Sequence, residues 1–427
     1  MRSQRLRRAG LLGLPVALLG LGAACGGSSN NSGPGPNTIA TPADNVAALS
    51  VDFGLPDIGY LNGLFATVTV CVPGTSDCQA IDHVLVDTGS SGLRVLGSVL
   101  TLSLPAWTDA SGIALAECEQ FFGGFIWGPI QGADVSIASE QAGNLAIQVI
   151  EESTYPVPSD CTGFDGSSAE ALGANGILGV SSIVQDCGPA CAARPGTRSE
   201  NPGVYYGCSS AAADACQVVA VPVAKQVSNP VSFFSQDSNG VIIELPAISA
   251  DGAPSVAGSL VFGIGTRDNN GLDQATVLRL DSTGSFSTRY PPNGPASLAF
   301  IDSGSNAIYF LDSNTTGIPT CFDPQHPSFS DFYCPRSTQN LSTSVQDAYG
   351  LAAINVSFRV ANAEALFGHL LNLAFDNLGG PSTAPQSGTG TLGSYFDWGL
   401  PFHFGRNVFT AIEGQTTPAG AGPFVAF

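Results

Sequence analysis

The sequence predicts a mostly β protein built from two lobes of one design. Short apolar segments alternate with turn residues, and the 427 residues include 52 Gly and 29 Pro, which favours turns over long helices. The length exceeds one compact core. A strand that runs into Asp, a small hydroxyl residue, Gly and Ser occurs once in each half of the chain. These three observations together favour two similar β lobes.

The first 24 residues predict a secretory signal peptide. Arg-rich residues 1–8 precede an apolar run at 11–21, and small residues precede Cys25. This junction resembles the lipobox of bacterial lipoproteins, which implies a lipid on Cys25 and an anchor in the cell envelope. Gly after Cys25 implies the outer membrane, with the domain periplasmic or surface-exposed. The alternative is cleavage by an ordinary signal peptidase that leaves Cys25 unmodified.

Residues 25–45 are rich in Gly, Ser, Asn and Pro, which predicts a flexible tether. We place the N-terminal lobe at 46–225 and the C-terminal lobe at 226–427. The predicted strands are 64–70, 81–86, 133–137, 145–150, 218–221, 241–245, 259–264 and 276–280. A helix is predicted at 363–373, with Asn362 as its N-cap.

The composition excludes several kinds of partner. With 34 acidic and 14 basic residues the net charge is -20, so we expect no nucleic acid partner. No segment after the signal peptide has the apolar length of a membrane span, and we expect a soluble monomer apart from the lipid.

Cysteine counting predicts disulfides. Of 11 Cys, Cys25 is set aside, and the remaining even set in an exported chain indicates up to five bridges. The pairing is open, although three pairs are close in sequence: Cys71 with Cys78, Cys208 with Cys216, and Cys321 with Cys334. No pair has CxxC spacing and none of the four His lies in HExxH, so we expect no metal and no cofactor.

The two halves contain matching motifs. Val84–Leu93 and Leu298–Ala307 each place Asp-Thr/Ser-Gly-Ser after an apolar strand. Each half also has a later apolar element that ends in Gly, at 175–179 and, in our assignment, at 402–405. A single Asp-x-Gly turn is common and structural, whereas two after apolar strands indicate paired function.

At these residues the chain resembles the pepsin-like aspartic peptidases. The resemblance covers residues 46–427 and implies two pseudo-symmetric barrel-like lobes around a central cleft. More narrowly, 87–94, 127–129 and 397–401 resemble a bacterial lipoprotein family labelled a domain of unknown function, which implies no activity.

The family resemblance implies a catalytic pair, Asp87 and Asp302. Two adjacent carboxyl groups share one proton because both cannot ionise together, so one acts as base and the other as acid on a water and a peptide bond. The resemblance implies that the Thr88 and Ser303 hydroxyls join the two loops. It also implies that Ser90 and Ser305 bind the outer carboxylate oxygens, and Gly89 and Gly304 allow close approach.

In the pepsin-like family, a hairpin that carries a Tyr covers the cleft. The corresponding segment of this chain, residues 121–132, contains no Tyr. We consider Phe122 and Trp127 as covering residues, with core packing as the alternative. Arg94 stands where the family has an aromatic partner for the Tyr, and the alternative for Arg94 is an ion pair. Asp186 and Asp397 are interpreted as turn or capping residues.

Two functions remain open. The first is an aspartic endopeptidase of the bacterial envelope that binds a peptide or protein substrate in the cleft. The second is a non-catalytic envelope lipoprotein that uses the same scaffold to bind peptide or glycan.

Overall fold

The fold is described from a computed structural model that covers residues 39–56, 58–121, 124–151, 154–193, 201–210, 215–322, 330–382 and 395–427. The predicted signal peptide, Cys25 and most of the tether lie outside these residues. None of the helices in the described ranges is long and apolar enough to span a bilayer.

Strands dominate both halves, as the sequence predicts. The first half contains β1 Val46–Val51, β2 Leu64–Cys71, β3 Cys78–Asp87, β4 Ser91–Leu96, β5 Ala114–Phe121, β6 Gly124–Ile137, β7 Glu140–Ile150, β8 Phe164–Asp165, β9 Gly176–Val180, β10 Tyr205–Cys208 and β11 Cys216–Val218. The second half contains β12 Gly240–Leu245, β13 Val256–Phe262, β14 Val277–Arg279, β15 Phe286–Arg289, β16 Ala296–Ile301, β17 Ile308–Phe310, β18 Gln339–Gln346, β19 Ala353–Val360, β20 Gly379–Gly380, β21 Tyr395–Trp398, β22 Arg406–Ala411, β23 Thr416–Thr417, β24 Gly420–Ala421 and β25 Phe424–Ala426.

Helices are short. The α-helices are α1 Ala169–Leu172, α2 Pro189–Ala192, α3 Ser313–Thr316 and α4 Ala363–Phe367, and 3₁₀ turns cover Val223–Lys225, Pro230–Phe233 and Leu400–Phe402. The Asn362 side chain accepts a hydrogen bond from the Ala365 N–H, so the predicted N-cap is confirmed. The predicted length of this helix is wrong, because α4 ends at Phe367 before Gly368.

Strands from both halves share one large sheet. Its order is β11-β10-β5-β6-β7-β4-β9-β3-β2-β1-β13-β12-β22-β25-β14. β1 pairs antiparallel with β13 along its whole length, and β12 pairs with both β13 and β22. The sheet therefore contains strands from both sides of residue 225. The lobe boundary that we place at residue 225 stays a prediction. A second sheet, β19-β18-β15-β16-β21-β17-β20, belongs to the second half.

Two cores support these sheets. The larger lies around β1–β4, β7, β9, β12 and β13, and the smaller packs the second sheet around aromatic side chains such as Phe310, Phe396 and Trp398. β9, with the sequence GILGV, is buried at all five positions. Such a continuous apolar run is typical of a strand covered on both faces.

Five disulfides staple the described chain: Cys71–Cys78, Cys118–Cys161, Cys187–Cys191, Cys208–Cys216 and Cys321–Cys334. This confirms the predicted even set, including all three pairs that are close in sequence. The Cys118–Cys161 bridge ties β5 to a loop 43 residues further along.

Candidate active site

Asp87 and Asp302 end equivalent strands. β3 ends at Asp87 and pairs in parallel with β9, which places Asp87 opposite Gly179. β16 ends just before Asp302 and pairs in parallel with β21. In each half the strand after the loop, β4 or β17, pairs antiparallel with the same partner, β9 or β21. The two loops are thus built by one local topology, used twice.

The two loops meet face to face. A Cβ atom placed on Gly89 would lie 2.7 Å from the Asp302 Cγ, and one on Gly304 would lie 2.8 Å from the Asp87 Oδ1. Only glycine fits at either position, because an added carbon would collide with the carboxyl group of the opposite half. The predicted close approach of Gly89 and Gly304 is what the geometry shows.

Each carboxyl group is held by its own loop. Asp87 Oδ1 accepts from the Gly89 N–H at 2.7 Å, and Oδ2 accepts from the Ser90 hydroxyl at 2.5 Å. Asp302 Oδ1 accepts from the Gly304 N–H at 2.8 Å, and Oδ2 accepts from the Ser305 hydroxyl at 2.9 Å. Asp87 is 3% exposed. The two carboxyl groups therefore have matching, fixed surroundings.

The pair favours a shared proton. Burial raises the pKa of Asp302 well above its usual range, and the charges of Asp87 and Asp397 and a hydrogen bond with Asp87 raise it further, against the effect of Ser305. One carboxyl group of such a pair stays protonated while the other ionises. This is the electrostatic arrangement that acid–base work on a water requires.

The backbone of one loop is bonded to the side chain of the other. The Thr88 and Ser303 side chains connect the two halves at the base of the carboxyl groups, with four hydrogen bonds of 2.8–3.1 Å. Both residues are buried. The expected role of these hydroxyls in joining the loops matches this geometry.

A third carboxyl group lies behind Asp302. The Ser305 hydroxyl is 2.9 Å from Asp302 Oδ2 and 2.7 Å from Asp397 Oδ2. A hydroxyl has a single hydrogen, so one of these carboxyl groups carries a proton and donates to Ser305. Burial raises the pKa of Asp397, against the hydrogen bond from Ser305, and the charge of Asp87 raises it further. Our interpretation of Asp397 as a turn or capping residue is wrong, because it lies inside β21.

The second glycine element is also corrected. β21 and Gly399, rather than 402–405, form the counterpart of β9 and Gly179. A Cβ on Gly179 would lie 2.7 Å from the Ser90 carbonyl oxygen, and one on Gly399 would lie 2.7 Å from that of Ser305. Residues 402–405 instead begin at the end of a 3₁₀ turn, Leu400–Phe402. The assignment failed because residues 396–399 and 402–405 both combine apolar residues with a final Gly.

The β5–β6 hairpin is attached to the active-site loop by Arg94 on β4. The guanidinium Nη2 lies 3.0 Å from Glu117 Oε1 and 3.5 Å from Glu119 Oε2, both on β5. It also lies 3.2 Å from Asp186 Oδ2. Arg94 thus forms an ion pair, as in our alternative interpretation of a surface or interface pair, but the pair is buried. Asp186 is one of its partners, and its assignment to a turn or cap is wrong.

On the β5–β6 hairpin, the side chain of Trp127 packs into a buried cluster and does not cover the cleft. Trp127 on β6 is fully buried, donates its indole N–H to the Tyr155 carbonyl and packs edge-on against Tyr206. It belongs to one cluster with the Cys118–Cys161 bridge. Trp127 thus takes the core-packing role we set against a covering role. Phe122 lies outside the described residues.

A residue that sequence reasoning missed is Tyr60, in the loop before β2. Its ring packs against Phe65, and a Cβ on Gly173 would lie 2.4 Å from it. Burial raises the pKa of the Tyr60 phenol, followed by the charges of Asp302 and Asp87. The charges of the carboxyl pair therefore act on the Tyr60 phenol. No motif surrounds Tyr60, so only the fold could reveal it.

A shallow apolar depression lies beside the hairpin. Its walls include Phe125 and Ile126 of β6, Leu172 of α1 and the exposed Phe164.

Two groups in the described chain have the residue types of a metal site. In the first, Cys321 and Cys334 are joined in a disulfide. In the second, Glu117, Glu119 and Asp186 already face the Arg94 cation. Both sets are therefore engaged by the protein itself.

Comparisons with known proteins agree with the resemblance. The fold matches a crystal structure of an aspartic proteinase from Irpex lacteus, with 14% sequence identity, 89% of this chain and 96% of that chain covered, and a TM-score of 0.50. No curated protein matches by sequence. At this identity the match shows the fold, which is the bilobal pepsin-like fold. A family profile described as a protein of unknown function matches residues 41–427, and the chain belongs to that family, DUF3443.

Proposed function

We propose that this protein is an aspartic endopeptidase of the bacterial cell envelope. The observation that carries the proposal is the convergence of Asp87 and Asp302 from opposite halves, with Gly89 and Gly304 packed on the opposing carboxyl groups. No other described cluster combines two facing carboxyl groups with duplicated loops and strands.

In the proposed reaction, a peptide lies in the cleft and a water lies between the two carboxyl groups. Asp302 holds the proton that its surroundings favour, and ionised Asp87 takes a proton from the water as the oxygen attacks the peptide carbonyl carbon. Asp302 gives its proton to the carbonyl oxygen, which forms a neutral tetrahedral diol. Asp87 then protonates the amide nitrogen as the C–N bond breaks, and Asp302 recovers a proton from the diol.

Several features support this role. Ser90 and Ser305 orient the outer oxygens, and the bonds between Thr88 and Ser303 hold the carboxyl groups at a fixed separation. Fixed geometry lowers the barrier because little reorganisation is needed in the transition state.

The test is cleavage of an unfolded protein substrate between about pH 3 and 6, where such a pair is half-protonated. We expect wild-type cleavage, and a loss of at least about 10²-fold in both Asp87→Asn and Asp302→Asn. Asp347→Asn is the matched control, since Asp347 is also 3% exposed but binds the Leu351 N–H in the second half. Circular dichroism verifies that the variants are folded.

If wild type cleaves nothing across this range, the protein is the non-catalytic binding lipoprotein of the alternative. Retained cleavage in either Asn variant would equally refute the dyad.

We also propose that a lipid on Cys25 anchors the protein in the outer membrane. The basis is the Arg-rich, apolar and small-residue order of residues 1–24 before Cys25. The wild-type protein is expected in the membrane fraction and Cys25→Ala in the soluble fraction. Equal distribution of both would refute the anchor without bearing on the peptidase activity.

A further inference from the structure

One arginine and three carboxyl groups are buried together between the active-site loop and the hairpin. The side chains of Arg94, Glu117 and Asp186 have 0% exposure, and that of Glu119 has 13%. The carboxylate oxygens of the three acids lie within 4.8 Å of one another. We call these four residues the Arg94 cluster.

The charges of the Arg94 cluster do not balance when all three acids are ionised. One guanidinium faces three carboxylates, and a net negative charge costs several kcal/mol in the interior. Glu117 Oε2 and Arg94 Nε bond to no described residue. Keeping protons on the acids is the least costly arrangement.

The surroundings of Glu119 favour its protonated form. Burial raises the pKa of Glu119 to about 8, with further increases from the charge and hydrogen bonding of Glu117 and from the charge of Asp87, against the lowering effect of Arg94. The pKa of Asp186 is also raised, chiefly by burial and the charge of Glu117. The Tyr205 hydroxyl on β10 lies 2.8 Å from Asp186.

The Arg94 cluster is connected to the carboxyl pair. Ser90 donates to Asp87 Oδ2, and the carbonyl of the next residue, Ser91, accepts from Arg94 Nη1 at 2.5 Å. Only Glu119 in the cluster is partly exposed. Cys118, its neighbour on β5, faces the core behind the hairpin, so by strand alternation Glu119 lies on the opposite face, towards Arg94 and the active-site loop.

We propose that Glu119 is a substrate-binding residue whose carboxylic acid, held by Arg94 on the cleft side of the hairpin, donates a hydrogen bond to the backbone carbonyl of a peptide lying over Asp87. The inference rests on the proposed function, since it assumes a peptide in the cleft. Every peptide has backbone carbonyl groups that accept hydrogen bonds, whatever its sequence. This contact therefore contributes to binding without selecting among peptide sequences.

Three groups face Glu119: Arg94 on β4, Glu117 on β5 and Asp186 after β9, with Tyr205 of β10 behind Asp186. The charge of Asp87, at the end of β3, acts on Glu119 as well. Ionisation of Glu119 removes the donor and adds a negative charge that opposes ionised carboxyl groups around it. Peptide affinity should therefore fall at alkaline pH.

The test uses an uncleavable peptide in which a reduced CH₂–NH bond replaces the scissile amide, with Kd measured by calorimetry at pH 5 and pH 8.5. Glu119→Gln keeps an N–H donor that does not titrate, and Glu119→Leu removes it. At pH 5 we expect wild type and Glu119→Gln to bind alike, and Glu119→Leu to bind about tenfold more weakly, as one lost hydrogen bond implies.

Between pH 5 and 8.5 wild type should lose about fourfold more affinity than Glu119→Gln, because a donor with a pKa of about 8 is about three-quarters ionised at the higher pH. The comparison with Glu119→Gln cancels titration of the carboxyl pair. This pH comparison also tests the proposal if Glu119→Leu fails to fold. Equal affinity of Glu119→Leu and wild type at pH 5, or the same pH dependence in wild type and Glu119→Gln, would overturn it.

The two proposals fail separately. A wild-type protein that binds the peptide but cleaves no substrate refutes the peptidase and leaves Glu119 to be judged by Kd. A protein that neither binds nor cleaves refutes both.

Discussion

Thr88 and Ser303 each accept, through the side-chain hydroxyl, a hydrogen bond from the backbone N–H of the other residue, at 2.9 and 3.1 Å. Each hydroxyl also donates to a carbonyl of the opposite half, Thr88 to Ile301 and Ser303 to Val86. The two halves are thus joined at the base of the carboxyl pair by reciprocal polar contacts that are closed to solvent.

Replacing Thr88 by Val keeps the shape of the side chain but leaves the buried Ser303 N–H and Ile301 carbonyl without partners. We expect the free energy of unfolding to fall by about 3 kcal/mol, measured by urea denaturation. Thr88→Ser, which keeps the hydroxyl, is the control and should lose less than about 1 kcal/mol. If both variants are equally stable, the contacts do not contribute as described.

Asp397 influences the proton equilibrium of Asp302 through its charge. Asp397→Asn removes that charge and keeps a donor for Ser305, so the pKa of Asp302 should fall. The alkaline limb of the cleavage profile, measured as kcat/KM against pH, should move to lower pH. KM should change little, because Asp397 is buried behind Ser305. An unchanged alkaline limb, with Asp347→Asn as the reference, would contradict this coupling.

The folded protein should be most stable in mild acid. The pKa of Glu119 is raised to about 8 and that of Glu244 to about 7, chiefly by burial. For such groups the native state binds protons more tightly than the unfolded chain, so the free energy of unfolding falls as pH rises from about 4 to 8.

Buried His403 acts in the opposite sense, since burial lowers its pKa to about 3 and its contribution is lost as pH falls below its usual value. The measurement therefore compares urea midpoints at about pH 6.5 and 8, where His403 stays neutral in the folded protein and only the last part of its titration in the unfolded chain remains. Glu244→Gln should reduce the decrease, and a higher midpoint at pH 8 would contradict the prediction.

Residues could be predicted from the sequence where the chemistry requires both a particular residue type and a particular place in a motif. The Asp-Thr/Ser-Gly-Ser loops had to recur after apolar strands, so Asp87, Asp302 and their supporting residues were identifiable. The strand predicted at 218–221 is wrong except at Val218, where β11 ends. Several strands that pair within the sheets, such as β5 and β18, were not predicted.

Residues whose role depends on distant partners were not identifiable in the same way. Glu117 and Glu119 lie in a segment where the sequence predicts no strand, and only the fold brings them to Arg94. Asp186 and Asp397 lie near Gly and Pro, which favoured the turn interpretation, yet their partners lie 92 residues away in sequence.

The pairing of β1 with β13 also determines what a divided chain would do. Cutting near Lys225 would separate these strands and expose the backbone donors and acceptors along the edge of each. Independent folding of the pieces is therefore disfavoured, and their recombination through the β1–β13 edge is favoured. The molecule should therefore behave as a single cooperative body, suited to reconstitution from complementing fragments rather than to trimming down to one half.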